Sequence, residues 1–490
     1  MNSIVRRDFL RRTALAGAAL ALPSSFLLKS SAAAEANDAV QLGIVGFGGR
    51  GGELARSFTA NQAKIVAIAD PDAARSGKAE AMPGVKAYED LRQLVEDPNV
   101  DAVVIATCNH WHCLAAILAM QAGKDVYVEK PLAHSQWEGR QVVNAARKYN
   151  KIVQLGTQQR SDPLQAAAKA FLHEEKALGK ILYVQTNRLG VRGSIGKRET
   201  PLPIPESVNY NLWLGPAEEK PIFRDQLQYD WHWDYNTGNG EMGNWGVHVL
   251  DDVRNVVYRD SVTLPHRILS VGGRMVWNDA GETPNVHFVC FDTGDIPTVI
   301  ALSNLPQSPD KKGDWKMPAG RPVAGPGSGY VVVCEGGYYL GQRGSGKAVD
   351  LEGKEIRSFR GGDMMKLHTA NFLEAVKSRD HSSLNAEIAV GHDTTGWCNL
   401  ANIASRVGGE YSREKAQSIL PNLEGWGKLL ENMEAQLQEF GIAKDSAAIQ
   451  MSPILSHDPQ TERFIGEHAD KANQYLKRIY RAPFAVPEIV

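Results

Sequence analysis

Val40-Gln41-Leu42-Gly43-Ile44-Val45-Gly46-Phe47-Gly48-Gly49-Arg50-Gly51 is the stretch that decides the fold. Its first half is short and mostly apolar, as a strand buried on both faces must be. Its second half is Gly46-x-Gly48-x-x-Gly51, and Glu53 to Ala60 then reads as helix. Glycines at these spacings permit a tight turn and let the backbone approach a pyrophosphate seated on the helix N-terminus. With 46 glycines in the chain the triplet alone decides little, so its context carries the reading. Lys64 to Asp70 is a second strand, and Asp70 stands at its end, 19 residues after Gly51. An acid there accepts hydrogen bonds from the adenosine ribose and repels a 2′-phosphate, which favours NAD over NADP. Arg50 works against that preference, because an arginine beside the loop also contacts phosphate.

Outward from this stretch, strands recur at residues 101–107, 125–129 and 151–156, with helical segments such as 113–122 between them. Such alternation predicts an α/β domain with a doubly wound parallel sheet over residues 40–160. Beyond Ser161 the pattern changes. One helix, residues 165–178, leads into strand-like runs at 181–188, 267–277, 285–291, 298–303 and 330–335 without helices between them. These predict an α+β domain over 161–362 with a mostly antiparallel sheet. The Pro/Gly-rich segment 307–328 reads as an exposed loop. Helices return at 363–378 and 386–407, so residues 363–410 are expected to pack back on the core. Residues 411–490 read as a C-terminal helical extension, amphipathic helix plus loop.

At 43% hydrophobic and 22% charged, the 490 residues have the balance of a soluble globular chain of two or three domains. A net charge of -2 gives no reason to expect nucleic acid or anionic lipid as a partner. Five cysteines without regular spacing make no disulfide framework, and Cys290 and Cys334 sit in apolar runs as small core residues. Asn109-His110-Trp111-His112, flanked by Cys108 and Cys113, fits no common zinc spacing, so no metal is expected.

The N-terminus carries a second message. Val5-Arg6-Arg7-Asp8-Phe9-Leu10-Arg11 precedes an apolar stretch, Thr13 to Leu28, and Ser31-Ala32-Ala33-Ala34. Residues 1–34 therefore read as a twin-arginine signal peptide for export in the folded state. The expected location is the periplasm or cell exterior, with no stable membrane span once the signal is removed. Nicotinamide cofactors are recycled in the cytoplasm. An exported enzyme that uses one must carry it out bound, which favours reduction and reoxidation of the same NAD within one cycle.

Glu129-Lys130-Pro131, closing a strand of the first domain, makes the reading specific. A Rossmann unit ending in this tripeptide and followed by an open-faced sheet domain resembles the Gfo/Idh/MocA oxidoreductases, over roughly residues 40–409. The resemblance implies that Lys130 lies beside the nicotinamide and the substrate hydroxyl, where a cation stabilises alkoxide character as hydride leaves. It implies cofactor contacts at Gly46, Phe47, Gly48, Gly49, Arg50, Gly51, Asp70, Thr107, Asn109, His112, Glu129 and Lys130. The family's Asp-x-x-x-His-x-x-Asp helix start matches Asn244 to Asp251, with His248 in the place of the acid/base histidine. Asn244 replaces the usual aspartate. Positions four apart share a helical face. An asparagine orients a hydroxyl but takes no proton, so base work falls on His248, assisted by Lys130.

Aromatic residues beside polar groups suit sugars, whose ring faces stack while hydroxyls hydrogen-bond. Trp213, Trp233, Asp234 and Tyr235 are candidate substrate contacts on this ground, with Gln159, Arg160, Arg188 and His248. The partner expected is a small sugar or glycoside, and a homo-oligomer stays open. Three chemistries fit, in this order: a redox-neutral glycosidase or lyase working by oxidation, elimination and reduction; a sugar oxidoreductase of glucose–fructose oxidoreductase type; and a plain dehydrogenase, which export disfavours. From another class, a non-catalytic sugar-binding protein on the same fold also stays open.

Overall fold

Six short strands, apolar almost throughout, make the first sheet: β1 Gln41–Val45, β2 Lys64–Ala69, β3 Lys86–Tyr88, β4 Ala102–Ile105, β5 Asp125–Val128 and β6 Val153–Leu155. The computed structural model describes residues 39–314 and 325–490. The export signal read over residues 1–34 lies outside the described residues. All pairings in this sheet are parallel, in the order β3-β2-β1-β4-β5-β6. The strands run apolar because helices cover both faces. Leu54 and Phe58 of helix Gly49–Ala60 pack with Phe372 of helix Met364–Ser378 over Leu42 and Ile44. Leu114, Ile117 and Val142, from helices Asn109–Gln121 and Gln136–Lys148, cover Val45, Val103 and Val126 on the other side. Each such side chain contributes about 1.5–3 kcal/mol on burial. A full capping box, Ser135 with Glu138, starts helix Gln136–Lys148. Strand order reverses direction between β1 and β4, and the crevice at their carboxyl ends is where such sheets bind ligands.

The second sheet begins with β7 Ile181–Leu189 and continues through β8 Arg267–Gly273, β9 Val286–Asp292 and β10 Thr298–Ser303. Pro306–Ser308 (β11) and Lys311–Asp314 (β12) pair as an antiparallel hairpin, so the segment read as loop opens with paired strands. Then come β13 Ser328–Cys334, β14 Gly337–Gln342, β15 Ser345–Val349 and β16 Glu355–Arg360. The sheet is antiparallel except where β10 lies parallel to β7. Strands β14 to β16 were not expected from the sequence. Their glycines and charges hide the alternation that marks a half-buried strand.

Trp397, Leu400 and Ala404 of helix Ile388–Val407 pack with Val247, Leu250 and Val253 against one face of this sheet. Its other face is not bare along β8 to β10. Trp426, Leu429, Leu430, Met433 and Leu437 of helix Glu424–Glu439 lie against Leu269, Val271, Phe288, Val299 and Ala301. The C-terminal segment also differs from the helix and loop expected of it. β17 Gly409–Glu410, β18 Gln450–Met451, β19 Leu455–Asp458 and β20 Arg463–Ile465 extend the sheet beyond β8. Strands of two to four residues carry too little periodicity to be read; the edge of β8 supplies their partner. All five cysteines are free thiols. Among the described residues no helix is long and apolar enough to cross a membrane.

Candidate active site

The glycine loop is built by close approach. Gly46 has φ +85°, and a Cβ there would stand 2.6 Å from the Ala106 carbonyl oxygen. A Cβ on Gly51 would stand 2.0 Å from the Gly46 oxygen, so helix Gly49–Ala60 can start this close to β1 only on a glycine. No side chain caps that helix, and its first-turn N–H groups are left for an anion. Asp70 closes the end of the crevice. Its carboxylate accepts from the Phe47 N–H at 2.8 Å and the Asp72 N–H at 3.0 Å, while burial pushes its pKa up. Loop, helix start and Asp70 fit the pyrophosphate and ribose of NAD.

From here a cavity of about 530 Å³ runs past Thr107, Asn109, His112 and Glu129 to Lys130, Asn244 and His248. Glu129 is held by the Arg50 guanidinium at 2.7 Å and the Gln158 amide at 3.1 Å. Arg50 also pairs with Glu53, so its charge is committed to carboxylates rather than left free for phosphate. His112 bridges the carbonyls of Pro131, at 2.6 Å, and Thr107, at 3.1 Å. Burial lowers its pKa, so the ring is neutral and its single N–H donates to one of these two carbonyls, with the ring packed between the end of β4 and the Glu129-Lys130-Pro131 turn.

The Lys130 ammonium donates to the Asn244 carbonyl at 2.8 Å and to its side-chain oxygen at 3.2 Å. Among the described residues no carboxylate pairs with it, and burial pulls its pKa down to about 8 despite the nearby Glu129. The Asn244 amide in turn donates to Glu241 at 3.1 Å. Glu241, fully buried, also takes Arg188 at 2.8 Å and Arg192 at 3.1 Å. A wide turn over Met242–Gly246 leads into helix Val247–Val253, and both Asn244 and His248 face the cavity. Among the described residues the His248 ring has no hydrogen-bond partner; it meets Trp245 edge-on, with ring centres 5.7 Å apart. Burial, then Lys130 and Arg343, hold its pKa well below the imidazole range. The ring is neutral at pH 7 and free to accept a proton.

Other predicted contacts fall elsewhere. Phe47 is a core side chain, and Gly51 packs on Gly46 instead of lining the cavity. Arg160 is no substrate contact: it is buried between Asp251 and Asp260, both at 2.8 Å. Gln159 is buried away from the cavity, with neither side-chain polar atom bonded. Arg188 stands behind the wall, donating to Glu241 and Ser328 with its guanidinium 4.5 Å from the Trp245 ring centre. Trp213 does line the cavity. Trp233 is packed inside, Asp234 pairs with Arg224 at 2.8 Å, and Tyr235 lines a separate cavity and meets Ser405 at 3.2 Å. The aromatic segment is right but its register is not, because Trp231 and His232 are the residues that reach the site. Sequence reasoning missed Arg75, Tyr229, Trp245 and Arg343, which line the same cavity. Trp245 had a signal, lying between Asn244 and His248. The flanking His110 is bonded to the Thr237 and Trp213 carbonyls, as suits a structural histidine. Elsewhere His392, Asp393 and Glu462 come together, but Arg254 and Arg140 already pair with the two acids.

Comparison with known proteins agrees with the two-domain fold. Residues 40–157 match the oxidoreductase family model for the NAD-binding Rossmann fold, and 193–283 match its C-terminal alpha/beta domain. Inositol 2-dehydrogenase of Rubrobacter xylanophilus is 36% identical over 136 residues, 27% of this chain and 39% of that protein. Levoglucosan dehydrogenase of Pseudarthrobacter phenanthrenivorans is 28% identical over 217 residues, 43% and 48% of the two chains. The matches thus span less than half the length of these relatives. In fold, the chain resembles a levoglucosan dehydrogenase solved with NADH and levoglucosan, with TM-score 0.52 and 16% identity over 74% of this chain and 96% of that one. The WlbA dehydrogenase of Bordetella pertussis, solved with NADH and UDP-GlcNAcA, gives TM-score 0.52 and 16% identity over 73% and 94%. Residues 40–157 and 193–283 thus match the two successive domains of the Gfo/Idh/MocA oxidoreductase family.

Proposed function

We propose that this protein is an NAD-dependent enzyme that acts on a carbohydrate by hydride transfer. The observation that carries the reading is convergence: Lys130, Asn244 and His248 stand in the same cavity as the glycine loop and Asp70. NAD, when bound, supplies the hydride acceptor. Lys130, with a pKa of about 8, holds or releases a proton at the reacting hydroxyl. Asn244 fixes the Lys130 amine through two acceptors, and His248 offers a neutral base on the same wall.

Within this reading we place a redox-neutral glycosidase or lyase first, exported folded by the twin-arginine route with its NAD bound. The support is the signal-like N-terminus together with a histidine able to remove a C–H proton next to an oxidised carbon. A sugar oxidoreductase of glucose–fructose oxidoreductase type is the second reading. The protein purified from the exported fraction should release near-stoichiometric NAD on denaturation and should cleave glycosides without added nucleotide. Absence of released nucleotide, with weak NAD binding in titration, would sink the trapped-cofactor reading.

A further inference from the structure

Charge is distributed unevenly along the cavity. The glycine-loop end has Asp70, Glu89 and Asp90 on its walls, with Arg50 and Arg75 held by carboxylates. The reacting end has Lys130 and Arg343, with Arg188 and Arg192 directly behind them sharing the single carboxylate of Glu241. Other acids near this end are already committed. Glu129 pairs with Arg50, and Asp251 pairs with Arg160. Asp252 is buried against Gln165, with burial and Asp251 pushing its pKa up to about 8, so it is mostly protonated at neutral pH. The chain as a whole carries only -2, so the positive excess is local to this end of the site.

Arg343 is the least satisfied of these cations. It comes from the turn between β14 and β15 and lies half-buried, its guanidinium 5.7 Å from the Trp245 ring centre. Its hydrogen bond is a weak one, 3.6 Å to the Met364 sulfur. Among the described residues no carboxylate pairs with it. A guanidinium withdrawn from water without a counter-charge is costly, and a ligand that brings the charge relieves the cost. Its planar fork of donors matches the paired oxygens of a carboxylate or phosphate. Trp231, stacked on His232, and Trp245 line the same walls and set aromatic surface beside the guanidinium.

We propose that the substrate is a sugar bearing an anionic oxygen group, carboxylate or phosphate, and that Arg343 reads that group. This rests on the reading of the cavity as a sugar site. Calorimetric titration of the NAD-loaded protein with D-glucuronate, D-galacturonate, D-glucose 6-phosphate, D-glucose and D-galactose tests it. At least one anionic sugar should bind tenfold or more tightly than its neutral parent, and which anion wins separates carboxylate from phosphate. Arg343→Gln should abolish the preference while NAD affinity is unchanged, and Arg343→Lys should retain part of it. The proposal falls if no anionic sugar outbinds its parent, or if the preference survives in Arg343→Gln. Selective binding without turnover removes the enzymatic reading and leaves this one standing. Preferential turnover of neutral sugars over their acids does the reverse.

Discussion

Replacing Lys130 with methionine isolates the electrostatics of the reacting end. Among the described residues the amine has only Asn244 as hydrogen-bond partner, and burial lowers its pKa from the ordinary 10.5 to about 8. At 1.36 kcal/mol per pH unit, that drop is worth about 3 kcal/mol. The sign follows from which state holds more protons. Between pH 8 and 10.5 the unfolded chain keeps this lysine protonated while the folded one has released it, so folding stability rises with pH across that window. Below it both states are charged, and the folded protein bears the full penalty. Methionine keeps the length and removes the charge. Urea denaturation of nucleotide-free wild type and Lys130→Met at pH 7 and at pH 10.5 measures the effect. Groups that Lys130 does not touch cancel in the difference between the two proteins, and His248, which it does touch, stays neutral throughout this interval. Wild-type stability relative to the variant should rise by about 3 kcal/mol over this interval. Parallel pH curves for the two proteins would refute the assignment of Lys130 as a desolvated, unpaired cation. In the same variant kcat should fall by about 10²–10⁴, the usual contribution of a positioned acid–base group.

Gly51→Ala should abolish NAD binding in titration and destabilise the fold by about 1–3 kcal/mol, although helix propensity alone predicts a gain, because its Cβ would meet the Gly46 oxygen at 2.0 Å. Asp70→Asn should weaken NAD tenfold or more and narrow the preference over NADP, read by parallel titrations, since it removes the charge that repels a 2′-phosphate. Arg160→Met should cost about 3–5 kcal/mol in urea by stranding Asp251, yet leave substrate KM unchanged in the protein that stays folded. A raised KM with normal stability would return Arg160 to the substrate contacts.

The first domain was legible because its signals are local. An apolar run, three glycines and Asp70 lie within one short segment, and each constrains the backbone by itself. Lys130 and His248 were legible for a different reason, through short motifs whose spacing a resemblance could match. The errors fall where position depends on long-range partners. Arg160 looks like an exposed cation until Asp251 and Asp260 arrive from the second domain to bury it. Trp233 sits one residue and Tyr235 three residues past His232, and only the short turn over Asp230–Trp233 decides which of them point inward. Arg343 was invisible because the strands that carry it were.

That last omission bears on the chemistry. The pKa values of both groups at the reacting end respond to residues of the second domain: Arg343 depresses Lys130 and His248, and Arg188 adds to the effect on His248. Glu241 offsets part of it for Lys130 from behind the wall. An aspartate at 244, as in the family's usual motif, would place a carboxylate beside the Lys130 amine and raise its pKa. Asn244 withholds that charge, so burial brings the lysine down to about 8, and burial with the neighbouring cations keeps the histidine unprotonated. A site arranged this way is poorly suited to a permanently cationic lysine that only polarises a hydroxyl. It is better suited to one that gives up its proton at the substrate hydroxyl, and loss of that charge in turn removes one of the cations that weaken His248 as a base. The asparagine at 244 and the arginines of the second sheet therefore act in the same direction on Lys130, toward the proton release that the redox-neutral chemistry proposed here needs, while an anionic substrate group that neutralises Arg343 would restore basicity to His248.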